Sequence, residues 1–421
     1  MLPIKNLFGF RKNKGLDKSI IQKNPYRNNI DLNKRQFIKK GLLGMAGLGG
    51  LALASKVAKA GGLVFNDGSG LVAASSAVGT ENLLINGAFT VSQIHGLFQD
   101  VTTAPDRPAN NDDTILMDMW RLLSDGNNIV DVQQVNSIFD GFYNAIRLDV
   151  ETASKKFGIV QIIETRIAKR VIDDVCSLSF DAKVTSASAG RLDNIKAVVL
   201  SWDSTADSVT SDVVSSWGAE DTTPTWAANW TAENTPANLS VTTSQARYSI
   251  ENISIDTAST TNIAVFIWAD GLTGTVTDTL EITGVKLEPG ASATAAILED
   301  PATELAKCQR YLYVVGGFST DVVVGHGIAN GATTSIFQLD IPTMRIEPVL
   351  LPAVPTPSNW NSGDRVSTSY NISAISIDSA STSNTTVFIN TTNAGTQTAQ
   401  DPHFLQSNGT TNARIILDAN L

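Results

Sequence analysis

The residues best suited to chemistry in this chain lie between positions 202 and 230, where aspartates occur among tryptophans. An indole face can stack on the apolar face of a sugar ring, and carboxylate oxygens are ligands that a hard cation such as Ca²⁺ prefers. The pattern therefore indicates a sugar-binding or calcium-binding loop, although tryptophans in a hydrophobic core would give the same pattern. The candidate ligand-binding residues are Trp202, Asp203, Asp207, Trp217, Trp226 and Trp230, with Asp212 and Trp268 as further candidates.

Motifs for catalysis are missing from the sequence. It contains no G-x-S-x-G nucleophile elbow, no G-x-x-x-x-G-K-[ST] loop and no dinucleotide fingerprint. The histidines His95, His326 and His403 lack metal-ligand spacing, and Cys176 and Cys308 lie in apolar segments typical of buried free thiols. We therefore predict a protein that is not an enzyme and has no cofactor. Ca²⁺ is the one ion for which the sequence offers candidate ligands. A polysaccharide depolymerase remains an alternative, because glycoside hydrolysis needs only two facing carboxylates and the chain has 41 acidic residues.

Charge is distributed unevenly along the chain. Residues 1–60 contain 13 Lys+Arg and 2 Asp+Glu, a net charge of +11, whereas the remainder contains 18 and 39, a net charge of −21. A basic arm joined to an acidic body indicates different partners for the two parts. The arm lacks the interleaved aromatic residues of a nucleic-acid stacking surface, so nucleic acid is not an expected partner. Its candidate anchoring residues are Lys34, Arg35, Lys39 and Lys40.

An uncharged apolar run, Gly41–Ala54, follows this basic cluster and precedes Ala58-Lys59-Ala60. The order resembles a twin-arginine export signal with Lys34 in place of the first arginine. In a helix the run spans about 21 Å, less than the roughly 30 Å of a bilayer core, so a spanning anchor is not expected. The run could instead form a small-residue helix face that lets another helix approach, with glycines at Gly41, Gly44, Gly47 and Gly50.

Composition and periodicity favour antiparallel β-structure. Charged residues are only 17% of the chain, and Thr, Ser, Asn, Ala, Val and Ile are prominent. Phe157–Glu164 and Cys176–Val184 alternate as strands with one buried face do. Thr303–Tyr313 has the spacing of a short amphipathic helix. Further strands are predicted at Val198–Trp202, Arg247–Ile255, Ala264–Trp268, Leu280–Leu287, Tyr311–Val315, Val322–Ile328, Thr334–Asp340, Val366–Ile377, Thr386–Asn390 and Arg414–Leu417.

Two segments of the chain are similar to each other. Ile253–Ile267 and Ile375–Ile389 agree at eleven of fifteen positions without a gap. Each has the pattern of a strand, a polar Ala-Ser-Thr turn and a second strand. We interpret them as a shared hairpin-like unit, because fifteen residues are too few to establish a repeated domain.

Several short motifs recur together between residues 82 and 345. They are Asn82–Val91 (NLLINGAFTV), Asp118-Met119-Trp120, Ile282–Glu288 (ITGVKLE) with Gly290 and Ala293-Thr294, Glu304–Tyr311 (ELAKCQRY) and Pro342–Pro348 (PTMRIEP). In combination they resemble a signature of bacteriophage and prophage tail-fibre and virion appendage proteins. In those proteins a carbohydrate-binding-module-like jelly roll passes into a C-terminal fibre β-domain. Gly61–Leu71 is similar to short F-x-D-G-[ST] elements of trimeric fibres.

The resemblance implies specific structural roles. Asn82–Val91 should be the opening strand of the jelly roll, and Trp120 should pack beneath the sandwich. Arg345 should either clamp a carboxylate or carbonyl at a subunit contact or be solvated. The resemblance also implies a homotrimer.

Together these observations predict a mainly β protein of four parts. They are a basic, partly helical arm at 1–60, a linker with a short β-turn element at 61–81, a jelly-roll β-sandwich at 82–300, and a short helix with a second β-sandwich at 301–421. The expected protein is a virion-located tail-fibre, spike or capsid-appendage subunit. Its arm should bind other virion proteins, and its β-domains should contact a host-surface glycan or protein. The alternative is a Tat-exported surface or periplasmic glycan-binding protein.

Overall fold

The computed structural model describes residues 81–94, 111–187, 191–270, 276–317, 320, 322–351, 355–364, 369–410 and 413–421. The expectations for residues 1–80, including the anchoring Lys34, Arg35, Lys39 and Lys40, and for His95 lie outside these ranges. All described residues belong to one compact unit. The predicted mainly antiparallel β class is confirmed. No helix within the described ranges is long and apolar enough to cross a bilayer.

The first part of the described chain is a sandwich of two antiparallel sheets. Its elements are β1 (Thr114–Ile115), β2 (Arg121–Ser124), β3 (Val130–Phe139), β4 (Phe142–Val150), β5 (Phe157–Ile163), helix α1 (Thr165–Ala168), β6 (Val175–Val184), β7 (Ile195–Trp202), β8 (Val214–Ser216), β9 (Thr225–Trp226), β10 (Trp230–Ala232), β11 (Ala246–Ser254), β12 (Asn262–Ala269) and β13 (Thr279–Pro289). The six-stranded sheet has the order β1-β2-β5-β12-β7-β10, and the five-stranded sheet has the order β11-β6-β13-β4-β3. Strands β8 and β9 pair with each other.

Both faces of the six-stranded sheet are buried. One face, with Ile159 and Val265, packs in the main hydrophobic core between the sheets. The opposite face, with Val160 and Phe266, lies in a second core that the segment between β7 and β10 covers. The prediction of a single buried face for Phe157–Glu164 is therefore wrong, because this segment shields the second face from water.

The segment Asn82–Val91, expected to be the opening strand, consists of bends and turns. Its backbone still lies beside β13, since the Leu83 amide donates to the Leu287 carbonyl at 2.8 Å. Asn86 and Phe89 have positive φ angles of 57° and 53°. These angles lie outside the β region and interrupt an extended strand.

Helix α2 (Pro301–Gln309) connects the sandwich to the C-terminal part. Asp300 is its N-cap and accepts hydrogen bonds from the backbone amides of the next residues, while Pro301 occupies a position that needs no amide donor. The helix ends at Gln309, before the predicted Tyr313, because Leu312 already pairs with Asp418 in a sheet.

The C-terminal strands close into a barrel, where a second sandwich was expected. The elements are β14 (Leu312–Gly316), β15 (Val323–Ala329), β16 (Thr334–Asp340), β17 (Val349–Leu350), a 3₁₀ turn (Pro357–Asn359), β18 (Trp360–Gly363), β19 (Ser369–Ile377), β20 (Thr386–Asn393), β21 (Pro402–Ser407) and β22 (Arg414–Asp418). The barrel order is β15-β16-β20-β19-β18-β21, and β14-β22-β17 form a separate sheet. Closure follows because β15 pairs with both β16 and β21.

The two similar segments have different structures. Ile375–Ile389 joins β19 and β20, which pair antiparallel as a hairpin. Ile253–Ile267 joins β11, which pairs with β6, to β12, which pairs with β5 and β7. The hairpin-like interpretation is therefore confirmed for the second segment and wrong for the first, which crosses between two sheets.

Candidate functional site

The predicted tryptophans gather on the covered outer face of the six-stranded sheet. Trp202 and Trp230 are only 4% and 5% exposed and lie 5.2 Å apart between ring centroids. Their indole N–H groups donate to the carbonyls of Thr205 and Thr210 at 3.1 and 3.0 Å. Their ring faces therefore contribute to a core and are not open to a ligand, as the core interpretation allowed.

Trp217 and Trp226 lie at the edge of the same core and are half-buried. Their rings are 5.8 and 6.4 Å from that of Phe266, and Trp226 also meets Trp268 edge-on at 6.0 Å. Trp268 is fully buried and stacks on Phe266. Of the candidate tryptophans, only Trp217 and Trp226 keep part of a ring accessible.

The predicted aspartates do not form a cation site. Asp203 is exposed. Asp207 accepts hydrogen bonds from the Thr165 amide and the Asn262 amide group. Burial opposes ionisation of Asp207, but these hydrogen bonds outweigh it and lower its pKa. Within the described ranges, no group of three or more His, Cys, Asp or Glu side chains is placed to hold a metal ion.

The motifs that carry the sequence resemblance meet at one place, the junction between the sandwich and helix α2, which we call the joint. Its first component is Asn82, whose side chain donates to the Val285 carbonyl at 2.8 Å and accepts from the Leu287 amide at 3.0 Å. A Cβ on Gly87 would lie 2.1 Å from the Val285 carbonyl oxygen, so only glycine allows this close approach. The NLLINGAFTV motif is thus fastened to the ITGVKLE strand.

Asn86 extends the joint to the D-x-W motif. Its side-chain amide donates to the carbonyls of Val91 and Asp118, and the Trp120 indole donates to the Asn86 carbonyl at 3.1 Å. Trp120 is fully buried in the core between the two sheets, as the resemblance implied. Asp118 accepts two hydrogen bonds from Gln93. Burial raises the pKa of Asp118 to about 6, although the hydrogen bonds from Gln93 favour its ionised form.

The ELAKCQRY motif completes the joint from helix α2. The Glu304 carboxylate accepts a hydrogen bond from the backbone amide of Asn86. Cys308 is a free thiol, as is Cys176, and both are buried as predicted; Cys308 packs in a small cluster with Tyr311. The Nη2 atom of Arg310 donates to both carboxylate oxygens of Glu164 of the sandwich, at 2.9 and 3.1 Å.

Arg345 of the PTMRIEP motif also contacts this region, and its partners belong to the same chain. Its guanidinium donates to the carbonyls of Ala419 and Asn420 at 2.9 and 2.8 Å, and its backbone amide donates to the Arg310 carbonyl at 2.7 Å. The structure thus assigns it an intramolecular carbonyl clamp, where the sequence left a subunit contact or solvation open. The motif residues together position the C-terminal part on the sandwich.

The outer face of the five-stranded sheet differs from that of its partner, because it combines ion-paired polar residues with only a small apolar cluster of Val135, Phe139 and Ala145. Arg147 on β4 and Lys183 on β6 both pair with Glu281 on β13, with N···O distances of 2.6 and 3.4 Å. The Lys183 ammonium also donates to the Ile138 carbonyl and lies 5.0 Å from the centre of the Phe139 ring. The ion pairs thus fix donors and acceptors on this sheet face, where the Arg147 and Lys183 side chains are 29% and 24% exposed.

A groove of about 420 Å³ runs over this face, and we call it the open-sheet groove. Its lining residues are Arg147, Lys183, Val184, Thr185, Thr243, Thr279 and Glu281. The hydroxyls of Thr185 and Thr279 are 2.6 Å apart. Guanidinium, ammonium, carboxylate and hydroxyl groups at fixed positions suit a ligand rich in hydroxyl groups.

Sequence reasoning did not single out these residues as a site, and it missed Arg147 because it assigned no strands between residues 129 and 150. A signal was present: two alternating segments, Val130–Phe139 and Phe142–Val150, flank Asp140-Gly141, a dipeptide typical of tight hairpin turns. Their pairing places Gln133 opposite Arg147 on the outer face of the five-stranded sheet.

A serine and a histidine also meet, inside the barrel. The Ser335 hydroxyl is 3.2 Å from His403 Nδ1, and Asn393 donates to the same hydroxyl at 3.0 Å. Ser335 is fully buried and His403 is 5% exposed. Burial lowers the pKa of His403, although Asp401 and Asp364 oppose that shift. The pair belongs to a buried polar network and offers no accessible nucleophile.

No protein-family model and no curated protein matches this chain. Among solved structures, it is similar to the enzymatically active domain of tailspike protein 4 of bacteriophage CBA120, with 14% identity and a TM-score of 0.29 over 49% of this chain and 21% of that one. The C-terminal family 22 carbohydrate binding module of Clostridium thermocellum Xyn10B has 11% identity and a TM-score of 0.26 over 43% of this chain and 89% of that one. TmCBM61 in complex with beta-1,4-galactotriose has 16% identity and a TM-score of 0.27 over 50% of this chain and 99% of that one.

Proposed function

We propose that this protein is a bacteriophage virion appendage subunit that is tethered by its basic arm and binds host-surface glycans through its sandwich domain. The observation that carries the proposal is the joint. Motifs separated by more than two hundred positions, such as Asn82 and Glu304, contact one another or the same few neighbours. Chance matches scattered along a chain would not be expected to form one bonded network.

The open-sheet groove is the proposed glycan-binding surface. Glycans offer many hydroxyl groups, and the groove presents donors and acceptors already held in place by the ion pairs on Glu281. Single contacts of this kind are weak. Several copies on one particle would strengthen attachment by raising the effective concentration of binding sites.

The virion assignment is tested on purified particles of the phage that carries this gene. Mass spectrometry should detect the chain in the particles, including peptides from residues 1–60. Absence of the chain from particles, or a mature chain that begins near Gly61, would refute the tethering proposal and support export.

Glycan binding is tested with the full-length protein on an array of host-surface glycans. Arg147→Ala should weaken binding because it removes a donor from the groove. Arg170→Ala is the matched control, since Arg170 pairs with Glu81 at an exposed site outside the groove lining. Equal binding by the two variants would exclude the groove as the glycan site.

A further inference from the structure

A second cleft lies at the joint and shares no lining residue with the open-sheet groove. Three large hydrophobic side chains at its lining are unusually exposed: Tyr143 at 67%, Ile297 at 54% and Leu298 at 50%. The other large hydrophobic residues of comparable exposure in the described ranges are Val276, Ile328, Ile346 and Val349. Exposed apolar groups concentrated around one concavity are typical of binding surfaces.

The cleft has a volume of about 250 Å³. Gly87 and Gly284 contribute backbone to its lining, and neither position accepts a larger residue. A Cβ on Gly87 would collide with the Val285 carbonyl, and Gly284 has a φ of +58°. The volume is below the roughly 300–1,000 Å³ of pockets for drug-sized molecules, so it suits one small ring.

Two carboxyl groups, from Glu299 and Glu304, supply the polar side of the cleft. One oxygen of Glu299 pairs with Lys307 at 2.5 Å, and the Glu299 side chain is 28% exposed at the lining. The Glu299 carboxyl also lies within hydrogen-bond contact of Glu304, whose pKa is raised chiefly by burial. A ligand hydroxyl can donate to the accessible part of the Glu299 carboxylate, because a carboxylate oxygen accepts more than one hydrogen bond.

We propose that this cleft binds a single neutral pyranose ring of the host glycan, stacked on Tyr143 with a hydroxyl donated to Glu299. The assignment rests on the proposed glycan-binding function and adds a subsite to it. An aromatic ring accommodates the apolar face of a sugar, and carboxylate oxygens accept its hydroxyl groups. An acidic sugar is disfavoured, because the two lysines nearby are already paired, Lys307 with Glu299 and Lys286 with Glu288 at 2.9 Å.

The test uses the full-length protein and the methyl glycosides of glucose, galactose, mannose and N-acetylglucosamine, with methyl glucuronide as the acidic comparison. Binding is followed by saturation-transfer NMR and titration. At least one neutral glycoside should bind, and Tyr143→Ala should weaken it roughly three- to tenfold, as expected for loss of an aromatic contact. Tyr143→Phe should retain most of the binding. Val349→Ala, an equally exposed position on the barrel side, should change nothing.

Three outcomes would overturn the assignment. They are binding of no neutral pyranose by a protein that does bind host glycans, binding that Tyr143→Ala leaves unchanged, and a lower mass for Tyr143→Ala in sedimentation equilibrium. The last result would show that the patch contacts a second copy of the chain. Pyranose binding by a protein absent from virions would instead remove the proposed virion function and leave the subsite standing.

Discussion

Asp270 is the residue whose substitution should affect the stability of the sandwich most clearly. Its carboxylate lies 2.6 Å from Lys156 Nζ and 2.6 Å from Lys196 Nζ, and the three side chains are 0%, 0% and 8% exposed. Lys156 also donates to the carbonyls of Trp217 and Ala219. The triad therefore holds the covering segment against the six-stranded sheet.

Asp270→Asn keeps the shape of the side chain and removes its charge, which leaves two ammonium groups in the interior without a counter-charge. Breaking a buried ion pair in this way costs about 3–5 kcal/mol of unfolding free energy. Burial by itself raises the pKa of Asp270, but hydrogen bonds from Lys156 and Lys196 outweigh it and lower the pKa. The contribution of the carboxylate is thus present above its unfolded pKa and lost as the pH falls below about 4. The difference between wild type and variant should be largest near neutral pH.

The assay is urea-induced unfolding, followed by tryptophan fluorescence at pH 7 and repeated in acid. The matched control is Asp125→Asn, because Asp125 pairs with Lys155, the neighbour of Lys156, at an exposed site where both side chains are about 40% exposed. That pair should contribute only about 0–1 kcal/mol. If Asp270→Asn destabilises the protein by no more than the control does, the triad does not hold the segment and the reasoning fails.

Three further perturbations test the joint and the barrel. Asp118 has a folded pKa raised to about 6, so this group should lower wild-type stability by about 2–3 kcal/mol between pH 4 and 7. Asp118→Asn should remove that slope, and parallel curves of stability against pH for wild type and variant would contradict the prediction. His403 has a lowered pKa, so its contribution to stability is lost as the pH falls from its unfolded pKa near 6.5 through its lower folded pKa. His403→Gln should flatten thermal stability between pH 7 and 5, and an unchanged pH profile would argue against it. Gly87→Ala should cost about 3 kcal/mol or more because its Cβ meets the Val285 carbonyl. Gly141→Ala is the control, since Gly141 has a φ of +83° but open space around it, and it should cost only about 1 kcal/mol. Equal losses of unfolding free energy in urea for the two variants would show that the contact with the Val285 carbonyl does not add to the cost.

The strands that sequence analysis placed correctly are those with regular alternation. Thr334–Asp340 is reproduced residue for residue, and Arg414–Leu417 to within one residue. Two other missed strands are the short Trp360–Gly363 and Pro402–Ser407, which begins with proline. The presence of a strand was easier to predict than its burial, since Phe157–Ile163 was predicted as a strand although both of its faces are buried.

The residues that sequence analysis selected as ligand-binding candidates are not those that line the proposed glycan-binding groove. Tryptophans and carboxylates between residues 202 and 230 satisfy the chemistry of sugar binding, yet Trp202 and Trp230 are buried and Asp207 is committed to Thr165 and Asn262. Which side of a tryptophan faces water depends on what covers the strand, and local sequence does not encode that. The open-sheet groove needed the pairing of β4, β6 and β13, whose residues are far apart in the chain.

The sequence by itself determined the β class, the short helix after residue 300, the buried free cysteines and the set of motifs that now form the joint, because each depends on local periodicity or residue type. Only the tertiary structure decided that the similar segments become a crossover and a hairpin and that the C-terminal strands close into a barrel. It also decided that Tyr143 and Arg147 line clefts while Trp202, Trp230 and Trp268 are covered. Strand partners and covering segments are set by contacts between residues distant in sequence, and these contacts determine which side chains can meet a ligand.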